Sequence, residues 1–99
     1  MIRHVVIWKM AAADADTRAE HAAEVERLLR GLETAVPVIR SLSVGTNVAV
    51  PEANADVSLV MDVDDLDALE AYQTHPAHQE VAAYIRSVTG GRMAVDFEV

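Results

Sequence analysis

The segment Ile2–Met10 constrains the fold most, because it reads as a strand with apolar residues on both faces. One face carries Ile2, His4, Val6, Trp8 and Met10, and the other carries Arg3, Val5, Ile7 and Lys9. Apolar residues at the centre of both faces are typical of a central strand that is covered on both sides. A sheet built around this strand therefore needs a cover on each of its two faces.

Helical and extended patterns alternate along the remainder of the chain. Apolar residues recur at helical spacing after the capping-box sequence Thr17-Arg18-Ala19-Glu20, which predicts an amphipathic helix that Pro37 ends. Alternating apolar and polar residues predict three more strands, and the pair Gly90-Gly91 predicts a turn before the last of them. These strands are expected over residues 38–48, 56–63 and 92–99.

The segment Leu69–Gln79 contains a proline between two helical patterns. Pro76 lacks an N–H and disfavours the helical conformation at the residue before it, so a helix that begins near Leu66 should end at Thr74 or His75. The same proline is a good first residue for a new helix. We therefore expect a helix, a kink at His75-Pro76 and a second helix.

The resulting order, β-α-β-β-α-β, predicts an α+β fold with a four-stranded antiparallel sheet and both helices on one face. The helices cover one face only, whereas the first strand is apolar on both. A bare apolar sheet face of this size is typical of an interaction surface. We therefore expect a single domain over residues 1–99 that forms a homodimer by packing sheet against sheet, closing a barrel-like core between two subunits.

Charge and composition exclude several classes of partner. The net charge of −8 argues against nucleic acid and against anionic membrane surfaces, since both attract clustered Lys and Arg. No run approaches the roughly 20 apolar residues that a membrane helix needs. The chain has no cysteine, which excludes disulfides and thiol chemistry and suits a cytoplasmic protein.

Two histidines and a tyrosine are the candidates for chemistry. Tyr72 and His78 lie on the flanks of apolar helical faces on either side of the kink, and His4 shares a strand face with Val6 and Trp8. A histidine titrates near neutrality and can take a proton, and a phenol can donate a hydrogen bond to a carbonyl oxygen that becomes an enolate or oxyanion. In an apolar pocket these groups suit enolisation or aldol-type ring closure of a carbonyl substrate.

The wall of such a pocket would come from four apolar side chains and from the kink. The residues expected to contact the substrate are Val6, Trp8, His75, Val81 and Ile85. A structural interpretation stays open for each polar residue: His78 bonded to backbone near the kink, Tyr72 as a core or interface aromatic, His4 as a satisfied buried histidine and His75 as a cap.

Metal binding is the other interpretation of His75-x-x-His78. A pair at this spacing can chelate, but a zinc site normally needs a third protein ligand, and cysteine is absent. We therefore expect neither a metal nor another cofactor.

Several motifs together resemble the stress-responsive dimeric α/β-barrel (Dabb) family. They are His4-Val5-Val6, Val44-Gly45-x-Asn47, Tyr72-Gln73-x-His75-Pro76-x-His78 and Val95-Asp96-Phe97-Glu98. The resemblance implies a ferredoxin-like subunit and a dimer whose two sheets form a barrel. The family includes plant stress-related proteins and a plant polyketide cyclase, in which a Tyr and a His of the same Tyr-x-x-His-Pro-x-His arrangement are the acid–base groups.

Carried over to this chain, the resemblance implies Tyr72 and His78 as the acid–base pair and His4 as a pocket residue. The chain departs from the cyclase at Asp56-Val57-Ser58-Leu59, where the cyclase has a further pocket histidine. We expect a protein that binds a hydrophobic carbonyl-containing or aromatic small molecule, with a cofactor-independent, polyketide cyclase-like lyase as the enzymatic interpretation. The alternatives are a non-catalytic stress-responsive or assembly protein and a cofactor-independent monooxygenase.

Overall fold

Four strands and three helices make up the chain, and the computed structural model describes all residues from 1 to 99. In chain order the elements are β1 (Ile2–Met10), α1 (Ala15–Ala35), β2 (Ser41–Thr46), β3 (Val57–Val63), α2 (Leu66–Thr74), α3 (Pro76–Val88) and β4 (Thr89–Glu98). The strands pair antiparallel in the order β2-β3-β1-β4. This is the predicted ferredoxin-like arrangement, with the second helix split in two. No helix has the combination of length and apolar character that crossing a membrane requires.

The two faces of the sheet differ sharply in burial. Along β1, the side chains of Ile2, His4, Val6, Trp8 and Met10 are buried, and those between them are half-buried or exposed. The buried face belongs to one core cluster of 19 residues, to which all three helices contribute. The opposite face exposes Ile7 and three apolar residues of β4, Met93, Val95 and Phe97, and the exposed Val99 follows directly after the strand. The sheet thus keeps one uncovered apolar face, as the pattern of β1 predicted.

The kink occurs at the predicted position and uses one residue for two purposes. His75 has an extended backbone, with φ −63° and ψ 135°, and it is both the last cap of α2 and the first cap of α3. Its Nδ1 accepts a hydrogen bond of 3.0 Å from the backbone N–H of Ala77. Pro76 follows as the first residue of α3, where its missing N–H leaves no helical bond unmade. The chain therefore turns between two helices without a loop.

The start of α1 differs from the predicted capping box. Asp14 is the N-cap, and its carboxylate accepts bonds of 2.9 Å from the Thr17 backbone N–H and 2.8 Å from the Thr17 hydroxyl. Thr17 therefore lies inside the first turn and does not cap the helix. A carboxylate three residues upstream satisfies the free N–H as well as a threonine at the cap would.

The pair Gly90-Gly91 is part of a strand, so the prediction of a turn was wrong. Lys9 pairs with Gly91 and Met10 pairs with Thr89, which leaves Gly90 as the extra residue of a β-bulge. Because β4 begins immediately after α3, the bulge takes up the change of direction that a separate turn would otherwise make. β2 is also shorter than the predicted 38–48, since it begins at Ser41 and ends at Thr46.

Candidate functional site

A cavity of about 520 Å³ lies between the covered face of the sheet and the helices. This volume falls within the range of roughly 300 to 1,000 Å³ that small-molecule sites occupy. More than half of the residues in the wall are apolar. Seven of the predicted site residues line the cavity: His4, Val6, Trp8, Tyr72, His78, Val81 and Ile85.

His75 is the one predicted contact residue that does not line the cavity. Its imidazole nitrogen is bonded to the Ala77 amide at the start of α3. The sequence correctly placed His75 at the kink, but the capping bond holds its side chain at the helix end, away from the cavity wall.

The kink brings Tyr72 and His78 into direct contact. Tyr72 lies in the last part of α2 and His78 in the first turn of α3, and their ring centroids are 4.5 Å apart at an angle of 53°. His4, on β1, lies edge-on to Tyr72 with a centroid distance of 6.0 Å and an angle of 62°. Three side chains from three elements thus converge on one end of the cavity.

His78 is held in one tautomer by the kink. Its Nδ1 donates a hydrogen bond of 2.9 Å to the backbone carbonyl oxygen of Gln73, which leaves Nε2 as the unprotonated nitrogen of the neutral ring. Burial lowers the pKa of His78 below its ordinary value of 6.5, and the charges of His4, Arg86 and Arg92 lower it further, against the opposing effect of the bond to Gln73. The ring is therefore neutral at pH 7 and available as a base.

Tyr72 is a neutral donor in the same cavity. The residue is 1% exposed, and its hydroxyl makes no hydrogen bond to another group of the chain. Burial raises the pKa of the Tyr72 phenol to about 12, and the charge of Arg92 offsets part of this effect. The phenol keeps its proton at neutral pH, so it can donate a hydrogen bond to a ligand oxygen.

Asp96 is a polar neighbour of the site that sequence reasoning missed. It lies opposite His4 in the pairing of β1 with β4, and its Oδ1 is 2.5 Å from the Nδ1 of His4. A carboxylate that accepts from Nδ1–H fixes the ring orientation and leaves Nε2 for other contacts. The sequence separation of 92 residues hides this contact until the strand register is known.

Arg86 and Arg92 are the two charged residues in the cavity wall, and neither was predicted. Arg86 had a signal in the sequence, since His78, Ala82 and Arg86 follow at intervals of four residues and therefore share a helix face. Arg92 had none, because its place opposite Trp8 is set by the register between β1 and β4.

The structure brings together no group of three or more His, Cys, Asp or Glu side chains with the geometry of a metal site. His75 caps α3 and His78 is bonded to Gln73, so the two histidines of His75-x-x-His78 have separate roles. Asp62, a buried carboxylate on β3, is bonded through both oxygens to the guanidinium of Arg3.

Comparisons with known proteins agree with this fold. A family model described as the stress responsive A/B barrel domain matches residues 2–99. A dimeric protein of unknown function with a ferredoxin-like fold from Bacteroides fragilis is similar, with 24% identity and a TM-score of 0.89 over 99% of this chain and 95% of that one. A dimeric ferredoxin-like protein of unknown function from Thermobifida fusca has 28% identity and a TM-score of 0.85 over 99% and 90% of the two chains.

An enzyme also shares the fold. A hydroxynitrile lyase from Passiflora edulis has 10% identity and a TM-score of 0.79 over 97% of this chain and 90% of that one. This similarity concerns the fold alone. No sequence match was found among functionally curated proteins.

The capping role of His75 generates a first prediction. His75→Ala removes the acceptor for the Ala77 N–H and should lower the free energy of unfolding by about 1 kcal/mol. His75→Asn keeps a good capping side chain and should recover most of that loss. Urea unfolding of both variants measures the difference. A His75→Ala variant as stable as the wild type would contradict the capping role.

Proposed function

Because the chain belongs to the stress responsive A/B barrel domain family, as its motifs predicted, we propose that it is a dimeric barrel that binds a hydrophobic carbonyl-containing or aromatic small molecule. On such a ligand it would carry out cofactor-independent acid–base chemistry, of which polyketide cyclase-like ring closure is one form. The contact between Tyr72 and His78, with ring centroids 4.5 Å apart in a largely apolar cavity, is the observation that supports this proposal.

The proposed step is the removal of a proton from the carbon next to a carbonyl group. The Nε2 of His78 takes the proton, and the electron pair of the C–H bond moves to form an enolate. The Tyr72 hydroxyl donates a hydrogen bond to the oxygen on which negative charge develops. The enolate carbon then attacks a second carbonyl carbon of the same ligand, and the proton on His78 passes to the new alkoxide.

His4 would act with Asp96 as a positioning pair. The carboxylate holds the imidazole through Nδ1, and the ring packs edge-on against Tyr72. A fixed neighbour limits the rotation of the phenol, so the hydroxyl is held in one direction before the ligand arrives.

A non-catalytic role is the second candidate, and one observation favours it. The bond from His78 to the Gln73 carbonyl bridges the kink, and His75 caps the following helix. Both histidines therefore stabilise the turn between α2 and α3, which is what a purely structural His-Pro-x-His segment would do. Variants of His75 and His78 distinguish the catalytic role from the structural one.

The acid–base proposal predicts that His78→Ala slows deuteration of the acetyl methyl group of methyl 4-acetylbenzoate in D₂O by about 100-fold relative to the wild-type protein. A positioned general base accelerates a proton transfer by a factor of roughly 10² to 10⁴. Tyr72→Phe, which keeps the ring, should slow it by a similar factor. NMR integration of the acetyl methyl signal measures the rate, and His75→Asn serves as the control. Unchanged rates in His78→Ala, together with lower stability, would favour the structural candidate.

The pH dependence of the same exchange tests the protonation states. Because the pKa of His78 is lowered from 6.5, the base is neutral and active above its pKa and becomes protonated as the pH falls through it. The protein-catalysed rate, after the buffer rate is subtracted, should therefore fall below pH 6.5. It should hold level from pH 7 to pH 10, since the phenol of Tyr72 keeps its proton up to about pH 12. A rate that rises on acidification would contradict His78 as the base.

The proposed dimer uses the uncovered face of the sheet. Met93, Val95 and Phe97 are 71%, 56% and 42% exposed in the single chain, and Ile7 of β1 is 38% exposed beside them. Apolar patches of this kind on a folded protein mark contact surfaces. A second copy packed sheet against sheet would cover the patch on both subunits at once, since a two-fold contact is self-complementary.

A charge placed on this face should separate the subunits. Val95→Asp would bury a carboxylate without a partner in the dimer, and it should convert the protein to monomer at micromolar concentration. Ala83→Asp, on the exposed side of α3, adds the same charge elsewhere and should leave the dimer intact. Sedimentation velocity distinguishes the two states. A wild-type protein that sediments as a monomer would exclude the proposed dimer.

A further inference from the structure

Two of the eight Lys and Arg side chains differ from the other six in having no partner within the chain. Arg3, Arg27, Arg30 and Arg40 are bonded to carboxylates, and Lys9 and Arg18 are bonded to backbone carbonyl oxygens. Arg86 and Arg92 make no hydrogen bond or ion pair, although the chain carries 16 acidic residues. These are also the two arginines that line the cavity.

The two arginines reach the cavity from two different elements of the fold. Arg86 lies on α3, on the same helix face as His78 and two turns after it, and Arg92 lies on β4 opposite Trp8 of β1. Both positive charges lower the pKa of His78, and Arg92 also lowers that of Tyr72. The guanidinium groups are therefore within electrostatic reach of the acid–base pair.

The two acidic residues on the same side of β4, Asp96 and Glu98, do not neutralise Arg92. Asp96 is four residues further along the strand and Glu98 six, distances of about 13 Å and about 20 Å at the rise of a β-strand. The carboxylate of Asp96 is bonded to His4 instead. A locally positive region at the cavity therefore persists in a chain whose net charge is −8.

We propose that Arg86 and Arg92 bind a carboxylate of the ligand, so that the site takes hydrophobic or aromatic keto acids in preference to neutral ketones. The planar guanidinium fork matches the geometry of a carboxylate and forms charge-assisted hydrogen bonds with it. The apolar wall would hold the body of the ligand, and Tyr72 would bond its keto oxygen. This inference rests on the proposed function, because it assigns the substrate class of the same cavity.

The carboxylate also gives the reacting group a fixed orientation. A ligand held only by apolar contacts can rotate within the cavity, whereas one held by its acid group and its keto group has two fixed points. Positive charge at the cavity also concentrates anionic ligands near it, against the repulsion of the acidic surface.

Matched probes test this assignment. 4-Acetylbenzoate and methyl 4-acetylbenzoate share the aryl ketone and differ in the charge of the acid group. Isothermal titration calorimetry should give the acid a dissociation constant about tenfold lower than the ester for the wild-type protein. Raising the salt concentration should weaken binding of the acid and leave that of the ester unchanged.

Variants then assign the preference to the two residues. R86Q and R92Q should each reduce the preference for the acid, and R86Q/R92Q should abolish it while binding the ester as the wild type does. R27Q removes the same charge from an exposed ion pair on α1 and should keep the full preference. If the double variant fails to fold, the single variants and the salt dependence give the same answer.

Two outcomes would overturn the assignment. Equal affinity of the wild-type protein for acid and ester is the first, and a retained preference in R86Q/R92Q is the second. If the double variant that retains the preference also loses the dimer, the arginines bind carboxylates of the partner subunit instead. If neither the acid nor the ester binds the wild type, the proposed function itself fails, and that result is distinct from both.

Discussion

The break in the backbone at Pro76 is the constraint on which the site depends. A proline inside a continuous helix would cost about 3 kcal/mol, so the chain ends α2 at Thr74 and begins α3 at Pro76. His75 lowers the free-energy cost of this break, because it takes an extended conformation and caps the new helix with its own imidazole. In a straight helix the side chains of Tyr72 and His78 would point in directions about 120° apart, since six residues rotate a helix by about 600°. The break turns them toward one another.

The sheet connects this site with the proposed assembly. Side chains alternate along β4, so Arg92 and Asp96 lie on the covered side while Met93, Val95 and Phe97 lie on the uncovered side. Every residue of β4 after Thr89 is exposed in the single chain. A partner sheet on the apolar side would hold this edge strand in place, and with it the carboxylate that orients His4. We therefore expect assembly and ligand binding to support one another.

Features that depend on neighbouring residues could be predicted from the sequence, whereas features that depend on the pairing of distant strands could not. Pro76 predicted the kink, and the apolar residues on both faces of β1 predicted its central position in the sheet. The helical spacing of Val81 and Ile85 predicted that both line the cavity. Asp14 was overlooked because both Asp14 and Thr17 are good caps, and only the backbone geometry selects between them. The contact of Asp96 with His4 and the position of Arg92 opposite Trp8 depend on the register between β1 and β4, which the local sequence does not specify.

The central claim is that the cavity between Tyr72, His78 and His4 is a ligand site, and the four histidines offer a direct measurement. His4 and His78 line the cavity, whereas His75 caps α3 and His21 lies on α1, so the last two are internal references. In protein labelled with ¹⁵N at histidine, NMR should show the imidazole resonances of His4 and His78 moving on addition of 4-acetylbenzoate, while those of His21 and His75 stay in place. Resonances that stay in place throughout, or that move mainly at His21 and His75, would contradict the account.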